Sequence, residues 1–254
     1  MGALPRALVA TLLVGLVGAA SAYALRAEIG ETVVSSTATM LPRELPAKGG
    51  APIELSSVTR IGTRDGSPPP VLQSIDFLID KHGFIETKGV PVCPAAKLEG
   101  TTTAVARKRC AGALVGEGTG RAEVNLPGRP PIEVSSALSF FNAPPTGGKP
   151  TLIAHAYETV PAKKALLVPI VIERVAKGRY GFRLRVEMPQ IAEGYGAPTL
   201  AEATVGRTWK RGGKEVGYLN ARCEGGRLQV RGELTFSNGD LFPATLTSPC
   251  HTPH

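Results

Sequence analysis

A chain of 254 residues with 30 Gly, 22 Pro and 5 % aromatics is long enough to bury its own core, and must build it from aliphatic residues and alanine between many turns. The formal charge of +8 is only mildly basic. It permits weak attraction to anionic envelope polymers or lipid headgroups, and gives no reason to expect nucleic acid or a cofactor.

The chain opens with one basic residue, Arg6, then an uncharged run from Ala7 to Ala20 and two small-x-small patterns, Ala20-Ser21-Ala22 and Ala22-Tyr23-Ala24. That order describes a secretory signal peptide over residues 1–24. The run is shorter than the roughly 20 residues needed to span a bilayer, although an uncleaved anchor is the alternative. No cysteine lies near the cleavage patterns, which argues against a lipoprotein. Removing the signal removes Arg6, so the charge falls from +8 to +7. Export places the protein in the envelope or outside the cell, where its four cysteines favour two disulfides. Three connectivities exist, and sequential pairing, Cys93 with Cys110 and Cys223 with Cys250, is the simplest.

Residues 25–50 contain Ser35-Ser36-Thr37, Pro42, Pro46 and Gly49-Gly50 without a sustained period, and read as a flexible or extended arm with a short ordered segment near Val33. A single β-rich domain is expected over residues 51–250. Ile53 and Leu55 start a strand; Val71, Ile75, Phe77 and Ile79 form another. Asp80-Lys-His-Gly83 then reads as a hairpin turn, with Phe84 and Ile85 beginning the return.

The one helical candidate runs from Pro94 to Arg109. An unbroken helix between Cys93 and Cys110 would hold their Cα atoms ~25 Å apart at 1.5 Å per residue, whereas a disulfide needs roughly 4.4–6.8 Å. Gly100-Thr101-Thr102-Thr103 is a poor helix interior, so a break is expected there with a short helix on one or both sides.

Strands follow at Ala113–Leu126, Ile132–Phe141, Thr151–Val160, Ala165–Val175 and Arg179–Met188. In the last, Tyr180, Phe182, Leu184 and Val186 share the apolar face. Leu200–Trp209 and Val216–Cys223 flank the basic turn Lys210–Lys214. Loops recur without the helices that βαβ units need, so the expected fold is mainly β: an antiparallel sandwich or barrel with one short broken helical segment between Cys93 and Cys110.

The last strands form a hairpin. Leu228, Val230, Leu234 and Phe236 alternate with charged residues, and Phe242, Ala244 and Leu246 return. A two-residue Asn238-Gly239 turn would set Phe242 and Leu246 against the polar face. A three-residue loop, Ser237-Asn238-Gly239 with Gly239 left-handed, pairs Leu234 with Phe242 and Val230 with Leu246. That register puts Cys250 opposite Gly226, near Cys223. Residues 251–254 read as a frayed tail.

Motifs that suggest chemistry are better explained as structure. Val115-Gly-Glu-Gly-Thr-Gly120 lacks the Gly-Lys-Ser/Thr of a phosphate loop, and its glycines share one strand face where close packing is possible. Lys177-Gly-Arg-Tyr-Gly-Phe-Arg-Leu184 departs from the RNA-binding pattern at Arg179 and Arg183. Asp76, Asp80 and Glu86 fit no calcium-loop frame. Of the histidines, His82 sits in a turn, His251 and His254 in the tail, and His155 in a strand as a buried or half-buried structural residue. No catalytic residue and no metal ligand is nominated. The exposed loops of interest are Glu193-Gly-Tyr-Gly-Ala-Pro198 and Lys210–Lys214.

Gly89-Val-Pro-Val-Cys93, Cys110-Ala-Gly-Ala-Leu-Val-Gly116, Gly178-Arg-Tyr-Gly181, Gly194-Tyr-Gly196, Tyr218-Leu-Asn-Ala-Arg-Cys223 and Cys250 occur in this order. Over residues 50–250 the chain resembles a group of uncharacterised secreted bacterial proteins with a four-cysteine frame. The resemblance implies export and that frame, and carries no activity. The functional expectation is an exported non-catalytic β-domain, a binding or structural module of the envelope. The alternatives are a carrier of an apolar ligand between two sheets, or a hydrolase using His155.

Overall fold

The computed structural model describes residues 23–253. Six strands come first: β1 (Tyr23–Ile29), β2 (Thr32–Leu41), β3 (Ala51–Pro52), β4 (Glu54–Thr63), β5 (Leu72–Asp80) and β6 (Gly83–Ile85). A 3-10 turn at Ala95–Lys97, helix α1 (Thr103–Arg109) and a second turn at Ala111–Ala113 follow. Then come β7 (Leu114–Val124), β8 (Ile132–Thr146), β9 (Lys149–Glu158), β10 (Lys164–Lys177), β11 (Tyr180–Glu187) and β12 (Gly196–Val205). The chain ends with β13 (Thr208–Arg211), β14 (Lys214–Gly217), β15 (Leu219–Ala221), β16 (Arg227–Phe236) and β17 (Leu241–Pro249).

Twelve strands form one antiparallel sheet in the order β1-β2-β4-β12-β7-β8-β9-β10-β11-β5-β16-β17, curled into a nearly closed barrel. The edge strands β1 and β17 meet without ladder pairing. Side chains close the seam: Val34 and Ile61 pack with Leu234, Phe236 and Phe242, and Thr32 Oγ1 donates to Asp240 Oδ2 at 3.3 Å. Phe236 and Phe242 stack edge-to-face at 5.4 Å, a geometry worth about 0.5–1.5 kcal/mol beyond the area they bury.

The terminal hairpin has the expected register. Val230 pairs with Leu246 and Leu234 with Phe242, and Gly239 takes φ 89° in a three-residue loop. The Cys250 N–H donates to the Gly226 carbonyl at 3.0 Å, and Cys223–Cys250 closes the open end with a Cα separation of 5.7 Å. Cys93 and Cys110 are also bridged, again 5.7 Å apart, because the helical segment breaks at residues 98–102. Thr102 caps α1 by accepting the Val105 N–H. The helix lies over the outer face of β8 and β9, where Leu98, Ala106, Phe141 and Ile153 enclose the disulfide.

Four expectations need correction. The arm expected over residues 25–50 is largely the paired strands β1 and β2. Val34 and Met40 are buried on the inner face of β2, but Thr32, Ser36 and Ala38 share that face and break the apolar period, and Ser36 bonds Thr59 Oγ1 at 3.0 Å. Of the segment read as a signal peptide, residues 1–22 lie outside the described residues, and Tyr23 and Ala24 begin β1.

Asp80-Lys-His-Gly83 turns the chain but makes no hairpin, since β6 pairs with β15. The buried Asp80 carboxylate accepts from Arg179 at 2.7 Å and from the N–H groups of His82 and Gln229, which steers the chain across the end of the barrel. The tail is tied down at His251, whose N–H donates to Arg43 O and whose carbonyl accepts from Leu45 N; His254 lies outside the described residues. Finally, Tyr180 leaves the core. A bulge at Gly181 pairs Tyr180 with Asp80 but Phe182 with Ile79, so only Phe182, Leu184 and Val186 face inward.

The barrel has one plugged end. The small sheet β3-β15-β6 crosses it, held by Ile53 N to Leu219 O and Glu86 N to Tyr218 O. Met40, Leu45, Ala221, Leu228 and the Cys223–Cys250 bridge fill it. Asn142 projects inward and its amide donates to the carbonyls of Val90 and Pro91, both at 3.2 Å. Tyr218 stands fully buried beside this plug, its hydroxyl without a hydrogen-bond partner among the described residues.

Candidate functional site

The opposite end is hollow. A largely apolar cavity of about 160 Å³ lies among the inner faces of β7, β8, β9 and β10, beneath the segment from Met188 to Ile191. Pairing explains why it is there. Gly120 and Ala122 of β7 stand opposite Ser136 and Val134 of β8, while Ala154 and Ala156 of β9 stand opposite Val168 and Leu166 of β10. Four neighbouring inward positions therefore carry glycine or alanine, and the larger residues around them cannot reach across the gap. Of the inward side chains, Ser136 is polar, but its hydroxyl is already used. It accepts the Tyr157 N–H at 3.0 Å and donates to the Tyr157 carbonyl at 3.1 Å.

The mouth of the cavity is formed by the end of β9 and the 188–196 loop. Glu158 Oε1 accepts the Ala192 N–H at 3.0 Å, and Ala192 and Glu193 adopt left-handed φ values of 49° and 59°. The loop is tied a second time by Asn125 N donating to Tyr195 O at 2.9 Å. Tyr195 itself is 44 % exposed on the loop tip. A cavity of ~150 Å³ lined by aliphatic groups stays dry and takes a benzene-sized molecule, so this one suits a small ring or short chain rather than a whole lipid.

Of the residues considered from sequence, Gly120, His155 and Pro198 belong to the lining of this space and the Glu193–Pro198 loop borders its mouth, while the others lie elsewhere. His155 is fully buried on the outer face of β9 under the helical segment, its Nε2 donating to the Thr101 carbonyl at 3.1 Å. Burial pushes its pKa below the ordinary histidine value, and the backbone hydrogen bond opposes that only in part. His82 lies with Nδ1 3.0 Å from Asp80, poorly aligned for a hydrogen bond, and Nε2 3.1 Å from Glu224. Those carboxylates sit on opposite edges of the ring. Asp76 pairs with Arg183 at 2.7 Å and Glu86 with Arg211 at 3.3 Å. Among the described residues no group of three His, Cys, Asp or Glu converges on a metal position.

The glycines of Val115–Gly120 do serve close packing, but against the adjacent strand. A Cβ on Gly118 would lie 1.9 Å from the Glu202 carbonyl oxygen. Lys210–Lys214 forms the β13–β14 hairpin. On the outer face, Tyr180 joins Lys177, Arg183 and Arg231 around an open cleft that also holds Asp76 and Glu233. No protein-family model matches the chain, and no curated protein matches it. Sequence reasoning missed the cavity. Its signal, small residues at alternate positions on β7 and β9, acquires meaning only when the two strands are set at one level.

Proposed function

We propose that the protein is an exported, non-catalytic binding domain of the envelope or extracellular space, whose barrel holds a small apolar ligand. The cavity carries this reading: one end of the barrel is plugged, and the other keeps an apolar space that four Gly or Ala positions leave open. Two disulfides are compatible with an extracellular or envelope location. Cleavage after Ala22 would leave β1 whole, whereas cleavage after Ala24 would remove its first two residues. Mass spectrometry of the exported protein distinguishes these, and an intact N-terminus would sink the signal-peptide reading.

Toluene, a neutral ring of suitable size, tests the cavity. Titration followed by NMR should shift Ala154, Ala156 and Leu166, and Ala156→Leu should abolish those shifts while leaving the circular dichroism spectrum unchanged. Absence of shifts in the wild type at millimolar toluene would overturn the reading.

The outer cleft favours a second reading, attachment to an anionic envelope polymer. Among the described residues Lys177 and Arg231 have no ion pair, and the Gly181 bulge turns Tyr180 toward them. Salt-sensitive retention on an anionic polysaccharide, lost in Lys177→Gln/Arg231→Gln, is expected. Equal retention of that double variant would remove the cleft from consideration.

A further inference from the structure

We infer that the ligand is an anionic amphiphile, a short apolar tail bearing a carboxylate, whose head lies at the cavity mouth against Lys164. This inference rests on the cavity reading above. Deep in the cavity, between Gly120, Ala122, Ala154 and Ala156, the polar side chain is Ser136, and its hydroxyl is spent on the Tyr157 backbone. A polar group carried inside would lose its water without replacement, at a cost of several-fold in affinity or more. Whatever enters must therefore be apolar within and keep any polar group at the rim.

The sign of the rim decides the head group. Lys164 is the direct ladder partner of Glu158, at the start of β10. By strand alternation it stands on the same face as Leu166, which lines the cavity one pleat deeper. Its side chain is exposed and makes no ion pair among the described residues, although Glu158 stands opposite. Glu158 is engaged elsewhere: Oε1 accepts the Ala192 N–H. Of the other charges nearby, Arg121 lies 3.8 Å from Glu133, Lys163 is exposed beside Lys164, and Glu193 is exposed on the loop. Among the described residues the mouth thus presents two lysines without ion pairs and two carboxylates, Glu158, whose Oε1 accepts the Ala192 N–H, and Glu193 on the loop. Lys164 stands on the cavity face beside Leu166, so a carboxylate head emerging there meets its ammonium, while an ammonium head meets a like charge.

Three six-carbon probes that differ only in the head separate this inference from the cavity reading: hexanol, hexanoate and hexylamine, titrated at pH 7 and low ionic strength. Hexanol reports the cavity alone. Hexanoate should bind about two- to fivefold tighter than hexanol, the range expected of a solvent-exposed ion pair, and hexylamine should bind weakest. Lys164→Gln should bring hexanoate down to the hexanol value and leave hexanol unchanged; 0.5 M salt should do the same. If hexanol binds but hexylamine equals or exceeds hexanoate, or if Lys164→Gln leaves hexanoate untouched, the head-group inference is wrong and the cavity reading stands. If none of the three binds while the fold is intact, both fall. The Lys164 side chain is exposed and unpaired, so its replacement is not expected to disturb folding.

Discussion

Glu158 Oε1 and the Ala192 N–H, 3.0 Å apart, join the end of β9 to the loop that crosses the cavity mouth. Ala192 and Glu193 both sit in the left-handed region, which costs an L-residue about 1–2 kcal/mol each. A hydrogen bond to a charged acceptor is worth about 1.5–3 kcal/mol, comparable with that strain. Glu158→Ala should therefore loosen the loop: the Ala192 amide should exchange with deuterium at least about tenfold faster, while Glu158→Gln, which keeps an acceptor oxygen, should stay near wild type. Unchanged exchange in Glu158→Ala would mean that burial of Ala192 alone holds the loop.

The two disulfides close segments of different length, with sequence separations of 17 and 27. In the chain-entropy model each contributes about 3–4 kcal/mol, the longer one slightly more. Denaturant unfolding of Cys93→Ser/Cys110→Ser and Cys223→Ser/Cys250→Ser should give losses of that size. The second pair should additionally release His251 from Arg43 and Leu45, seen as faster amide exchange at the plugged end.

His155 gives stability a pH dependence whose sign follows from its burial. Its pKa in the folded protein is depressed below the ordinary 6.5 of the unfolded chain. Between those two values the unfolded chain binds a proton that the folded protein does not, so stability falls as pH drops through 6.5 toward the folded value. Above 6.5 the contribution is fully present. His155→Gln should remove this part of the slope whatever it does to the plateau, as measured by chemical denaturation at several pH values. An identical slope in the variant would rule His155 out as its source.

Tyr218 is fully buried with no partner for its hydroxyl among the described residues, and desolvation raises its pKa above the ordinary phenol value. An unsatisfied buried hydroxyl costs about 1–3 kcal/mol. Tyr218→Phe keeps the ring among Val90, Val115 and Ile172 and should leave stability unchanged or raise it by about 1 kcal/mol. A clear loss of stability would reveal a partner for the hydroxyl, such as a buried water.

The parts of this protein legible from the chain alone are those whose partners are close in sequence. The register of β16 and β17 followed from a three-residue loop, because slipping by one residue would turn every apolar side chain to water. The break before α1 followed from the incompatibility of a straight helix with the Cys93–Cys110 bridge. Elsewhere local pattern failed. The inner face of β2 mixes Val34 and Met40 with Thr32, Ser36 and Ala38, so no apolar period marks it, and the two strands join the barrel through the pairing of β1 with β2 and of β2 with β4. Tyr180 follows the apolar alternation in sequence, and one extra residue, Gly181, turns it out. The cavity is the extreme case. Gly120, Ala122, Ala154 and Ala156 say little singly, and they border a cavity only because long-range strand pairing sets them around the same hollow. Alternation decides which face a side chain takes; only the closed sheet decides which side chains share a level, and that is where the room for a ligand arises.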